Sequence, residues 1–166
     1  MKIPRKVVKD VAVVAIGVLG IWLGLQAAFG TPNPFYVVAS GSMVPELEVH
    51  DVIVVQGHHP FEEVVPGNII VFDRPSDRAK VIVHRVTSII SEDPKQVRTK
   101  GDANSGSIPG TDWPITEREY IGLVIHSVPA IGYVTQALQP PVNYIIIVVV
   151  VGIMAARHFS KSRSST

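Results

Sequence analysis

Residues Val11 to Phe29 read VAVVAIGVLGIWLGLQAAF, and this run decides the architecture. It holds nineteen residues, and Gln26 is its one strongly polar member. A bilayer core about 30 Å thick takes roughly 20 such residues as a helix. A cleavable signal peptide has a shorter apolar core of about 7–15 residues, so the length points to a retained anchor. Gln26-Ala27-Ala28 near its end is the feature that suits the cleavable reading.

Moving outward, Lys2, Arg5, Lys6 and Lys9 precede the run and only Asp10 opposes them. A second apolar run, VNYIIIVVVVGIMAA, spans Val142 to Ala156. Pro140-Pro141 stands before it and Arg157, Lys161 and Arg163 follow. Fifteen residues is short for a span, and Ile and Val also suit a buried strand. The absence of alternation and the basic tail favour a second transmembrane helix. Each end carries a charge of +3, so a total of +1 leaves −5 for the stretch between. Basic flanks stay in the cytoplasm, so two spans leave the middle outside.

The expected organisation is therefore a basic cytoplasmic N-terminus at 1–10 and an anchor at 11–30. An extracytoplasmic catalytic domain at 31–140 follows, then a C-terminal transmembrane segment at 141–157 and a cytoplasmic tail at 158–166. Charged residues make up 17% of the 166 residues and mean hydropathy is +0.30. A soluble domain carries about 25% charged residues, so the deficit also points to lipid. The acidic middle argues against nucleic acid, which needs a basic face. Cys is absent, which excludes disulfides, thiolate metal sites and a Cys nucleophile.

The middle reads as mainly β. Tyr36 to Ala39, Asp51 to Val55, Asn68 to Phe72, Val81 to Ile90 and Ile121 to Ile125 are β-branched runs. Turn-forming stretches such as Thr31-Pro32-Asn33-Pro34 and Pro66-Gly67-Asn68 separate them. Ile131, Val134 and Leu138 recur at helical spacing and suit an amphipathic stretch leading back to the bilayer, or an ordinary core helix.

Three residue groups carry chemistry. Ser42 lies in Ser40-Gly41-Ser42-Met43-Val44-Pro45, thirteen residues past Phe29. A serine hydroxyl needs an adjacent base to act as a nucleophile. Ser40 is placed to help hold an oxyanion. His84 lies in Val81-Ile82-Val83-His84-Arg85-Val86, where a rigid strand suits a base, although a histidine in an apolar strand also has a purely structural reading. His50, His58, His59, His126 and His158 lie in turns, a strand end or the tail. Asp102, in Lys100-Gly101-Asp102-Ala103-Asn104, is a candidate to orient the imidazole, and Asp112 is a second. Gly, Asp and Asn also build turns for local reasons. Asp102-x-Asn104-x-Gly106 fails as a calcium loop, because Trp113 stands at the twelfth position and Ser107 at the turn glycine. No metal or other cofactor is expected. Lys80 and Lys100 are alternative bases for a Ser-Lys peptidase, and a non-enzymatic anchored β-scaffold is the alternative of another class.

Together these segments resemble type I signal peptidase, in the branch found in archaea, the endoplasmic reticulum and some spore-forming bacteria. Ser40 to Pro45, Asp51 to Val55, Pro66 to Phe72, His84-Arg85-Val86, Lys100 to Asn104 and Pro129-Ala130-Ile131-Gly132-Tyr133 carry the likeness over residues 7–135. The resemblance implies a compact, twisted β-domain whose active site faces the membrane. It implies Ser42 as nucleophile and His84 as base, where the main bacterial branch has lysine. Asp102 matches the family's first aspartate. Asp112 looks like the second, across a longer gap than usual, and which of the two orients His84 stays open. Asn68 stands where the family often has aspartate, and His50 where it often has glycine. The implied activity is removal of signal peptides after small residues at −1 and −3. The implied partners are signal-bearing preproteins, the lipid bilayer and the protein-translocation channel.

Overall fold

The computed structural model describes residues 5–129. The expected second span at 142–156 and the helical spacing at 131–138 lie outside the described residues.

Helix α1 covers Arg5–Phe29. Its stretch Val8–Phe29 has a mean hydropathy of 2.2 with none of it buried, and among the described residues it alone is long and apolar enough to cross a membrane. Twenty-two residues at 1.5 Å each span about 33 Å, which matches a hydrocarbon core. The helix ends at Gly30, whose φ of 65° is the left-handed conformation that glycine adopts without a Cβ penalty. Its last carbonyls find partners in the sheet domain. The amide of Gly57 donates to Phe29 O at 2.7 Å, and His58 Nε2 lies 3.0 Å from Ala27 O. The helix is thereby tied to the sheet domain rather than left on a free tether.

The rest is one antiparallel sheet of six strands in the order β1-β2-β6-β3-β4-β5. They are β1 Phe35–Val37, β2 Val52–Gln56, β3 Ile69–Asp73, β4 Val81–Glu92, β5 Lys95–Lys100 and β6 Tyr120–Val128. The mainly β expectation holds for the described residues. β3 is central and buried on both faces, which explains its unbroken apolar run. Ile70 and Phe72 enter one core with Phe61, Val64, Val86, Val97 and Ile115. Val71, between them, enters a second core with Val38, Met43, Leu47, Ile53 and Val55.

Three strands differ from the sequence expectation, one of them β6, which runs past the expected Ile121 to Ile125 at both ends. β1 stops at Val37, freeing residues 38–40 to turn toward Ser42. β5, KQVRTK, was not among the predicted strands. Only Val97 and Thr99 face inward, and its other side chains are polar, so β-branched density was low. It forms because the Asp93-Pro94 turn folds it back on β4, with Glu92 opposite Lys95. His50 sits at φ 75°, the conformation suited to the glycine often found there in the family it resembles.

Candidate active site

β4 carries His84, the candidate base. His84 lies opposite Ile70 of β3 and is 5% exposed, with the Phe72 ring packed edge-on against its imidazole at 6.5 Å. The β5 ladder ends at the pair Arg85–Lys100, so the β4 edge next to His84 is free of β5. The Ser42 turn fits into that gap. It is a single 3₁₀ turn, Gly41–Met43, held down by Met43, which is fully buried in the second core. Ser42 O accepts the Ala103 amide at 2.9 Å, joining this turn to the loop after β5. Ser42 Oγ then stands 3.1 Å from His84 Nε2.

The loop from 101 to 119 returns along the outer side of β5. Val97 and Ile115 exchange main-chain bonds, and Thr99 N donates to Asp112 O at 2.9 Å. This pairing places Asp112 beneath the imidazole, fully buried, with Oδ1 2.5 Å from His84 Nδ1. The carboxylate also accepts the Ile108 amide at 2.7 Å and faces the Thr99 hydroxyl at 3.2 Å. Burial is the largest influence on Asp112 and pushes its pKa up. The hydrogen bonds from His84 and Ile108, electrostatic attraction to His84 and the Thr99 hydrogen bond together outweigh it and hold the carboxyl below the usual carboxylate range. An ionised Asp112 accepts the Nδ1 proton, which leaves the Nε2 lone pair facing the serine hydroxyl.

Asp102 is elsewhere. Arg85, the next residue on β4, points to the opposite face of the strand. Its Nε and Nη2 hold Asp102 at 3.0 and 2.7 Å, its Nη1 donates to Gly67 O, and Glu46 adds a contact at 3.5 Å. The Asp102 hydrogen bond is the main cause of a raised Arg85 pKa. Asp102 thus ties the loop after β5 to β4 through a fork-like ion pair, while Asp112 meets the ring. Ser40 Oγ lies 3.5 Å from Ser42 Oγ, at the outer limit of hydrogen bonding. Lys100 is occupied, donating to Asn104 O at 3.0 Å. Lys80 sits four residues before His84, about 13 Å along an extended strand.

Three contributors were not singled out from sequence. Thr99 braces Asp112, and alternation in β5 was its only signal. Arg85 was quoted but given no task. Gly101 leaves the space in which the groups converge, because a Cβ there stands 2.6 Å from Ser42 O and 2.9 Å from His84 Nε2. A cleft of about 560 Å³ opens from Ser42 and His84 between residues 36–40 and the start of β4.

Comparison with known proteins supplies the family. The family described as "Signal peptidase, peptidase S26" matches residues 7–102. The chain is 34% identical over 125 residues to the signal peptidase complex catalytic subunit sec11 of Sclerotinia sclerotiorum, covering 72% of each chain. Its counterpart from Pyricularia oryzae is 33% identical over 124 residues, and that from Fusarium vanettenii 31% over 125, each again with 72% coverage of both chains. With a family match over more than half its length, and relatives 31–34% identical across 72% of the chain, this chain belongs to the signal peptidase family, peptidase S26.

Proposed function

We propose that the protein is a membrane-held serine endopeptidase that removes signal peptides from exported preproteins, with Ser42 as nucleophile, His84 as general base and Asp112 as the group that orients it. The observation that carries this reading is the unbroken line from Ser42 Oγ through His84 to buried Asp112, at 3.1 and 2.5 Å. A scaffold has no use for such a line, and a Ser-Lys enzyme needs an amine where this chain has His84.

In the proposed reaction His84 Nε2 takes the Ser42 proton as Oγ attacks the scissile carbonyl. Asp112 holds the imidazolium that forms. His84 then gives the proton to the leaving amine, and an acyl-serine remains. A water activated by the same ring hydrolyses the ester. Ser40 and main-chain amides of the Ser42 turn are the proposed donors to the oxyanion. The substrate lies extended in the cleft beside β4, and its shallow walls admit small side chains at −1 and −3. Helix α1 holds the enzyme in the membrane that carries the precursor, with residues 31–140 extracytoplasmic, a second span at 141–157 and both termini cytoplasmic. The translocation channel is the proposed neighbour.

The test is cleavage of a model preprotein by the full chain purified in detergent. The native protein should release the mature product, and Ser42→Ala and His84→Ala should release none while inserting normally. Turnover by both variants overturns the reading.

A further inference from the structure

The cleft runs one way from the nucleophile. Beyond Ser42 and His84 its floor follows the start of β4, from Val83 back to Lys80. This stretch of β4 has β3 on one side, while β5 reaches only as far as Arg85. The ladder with β3 continues past Val81, because Arg74 N donates to Lys80 O at 2.9 Å. Val81 to His84 therefore present an extended edge that an incoming strand can pair with, and Lys80 stands at the bend that begins it.

Lys80 is the one Lys, Arg, Asp or Glu among the described residues that line this cleft. Its neighbours there are mostly apolar, including Val37, Val81, Ile82 and Ile108. Its ammonium makes no hydrogen bond or ion pair among the described residues. The acid that feels its charge, Asp77, is already gripped by Arg74 through both carboxylate oxygens, at 2.8 and 2.5 Å. An exposed cation thus stands at the far end of an apolar peptide groove.

The register sets what it meets. Residues directly opposite in a ladder share a face, and faces alternate with a period of two. The acyl side of the substrate lies in this cleft, whose lining runs from Ser42 and His84 to Lys80, so the upstream chain runs from His84 toward Lys80. With −1 opposite His84, residue −3 falls opposite Ile82 and −5 opposite Lys80. We infer that Lys80 is a specificity-determining residue that favours an acidic side chain at position −5 of the precursor. The inference rests on the peptidase reading and adds a substrate preference to it.

The experiment uses the full chain in detergent and three precursors with Ala at −1 and −3, differing only in Glu, Gln or Lys at −5. For the native protein kcat/KM should favour Glu over Lys by about fivefold, the scale of an exposed pair exchanged for a repulsion. High salt should shrink that ratio. Lys80→Gln should bring it close to one, and Lys80→Glu should invert it. A ratio unchanged across the three proteins overturns the inference while leaving the peptidase intact. A uniform loss on all precursors overturns it too and marks Lys80 as a cation for lipid phosphate. Failure of the native protein to cut any precursor overturns the underlying activity instead.

Discussion

Gly101→Ala tests the convergence of the site most directly. Gly101 is buried and its backbone is open to any residue, so the methyl is excluded by space rather than conformation. The added Cβ stands 2.6 Å from Ser42 O, 2.8 Å from Asn104 Nδ2 and 2.9 Å from His84 Nε2. The Asn104 amide can swing away. The Ser42 carbonyl cannot rotate away alone, because the Ala103 amide holds it and Met43 anchors the next residue in the core, so relief has to shift the residue as a whole. Relief from 2.6 Å to the 3.4 Å of ordinary contact moves Ser42 by about 0.8 Å. The 3.1 Å bond from Ser42 to His84 then opens toward about 4 Å and is lost. Misplacement on this scale costs about 10²-fold in rate, or about 2.7 kcal/mol of barrier. Overpacking adds about 1–3 kcal/mol of instability, so the variant should still fold. Steady-state cleavage of a preprotein should show the loss in kcat with little change in KM. Gly106→Ala is the control, since a Cβ there meets nothing within 4 Å. A Gly101→Ala enzyme with native kcat, or a Gly106→Ala enzyme equally impaired, would refute the reasoning.

Three further outcomes follow from the carboxylates. Asp112→Asn should lower kcat about 10³–10⁴-fold, because an amide no longer fixes the Nδ1 proton, whereas Asp102→Asn should act mainly on thermal stability by leaving Arg85 under-paired; equal effects on kcat would contradict the geometry. Thr99→Val removes one donor to Asp112 and should lower kcat about 3–10-fold with KM unchanged, and Thr99→Ser should restore it, since a net hydrogen bond is worth about 0.5–1.5 kcal/mol. Asp112 is held below its ordinary value of 3.8. Its contribution to stability is therefore fully present above that value and is lost as pH falls through the lower folded value. Thermal melts below about pH 4 should fall more steeply for the native protein than for Asp112→Asn, and parallel curves would show that the carboxylate carries no such linkage.

The parts legible in the sequence are those with local causes. Val11 to Phe29 reads as a spanning helix from its run of apolar residues, and the structure makes it one continuous helix. The β-branched stretches Asp51 to Val55, Asn68 to Phe72 and Val81 to Ile90 read as strands because Val and Ile suit a pleated, packed surface, and strands lie there within one or two residues at each end. Ser42 and His84 stood out as candidates by residue type and order, since a hydroxyl nucleophile demands a base, and the structure brings the two side chains within 3.1 Å. β5 was not legible, because its polar side chains are tolerated at an edge that only β4 pairing creates.

The choice between Asp102 and Asp112 belonged to the tertiary structure. Both are aspartates in turn-rich segments, and their spacing along the chain says nothing about direction. Strand alternation sends His84 and Arg85 to opposite faces, so the carboxylate that meets Arg85 is denied to the imidazole. Likewise, composition shows a lysine at position 80, but only the end of the β5 ladder at Arg85 leaves an open edge that begins beside it. Sequence determined which chemical groups were present and which segments were helical or extended; pairing in three dimensions decided which of those groups meet, because contact depends on register and face.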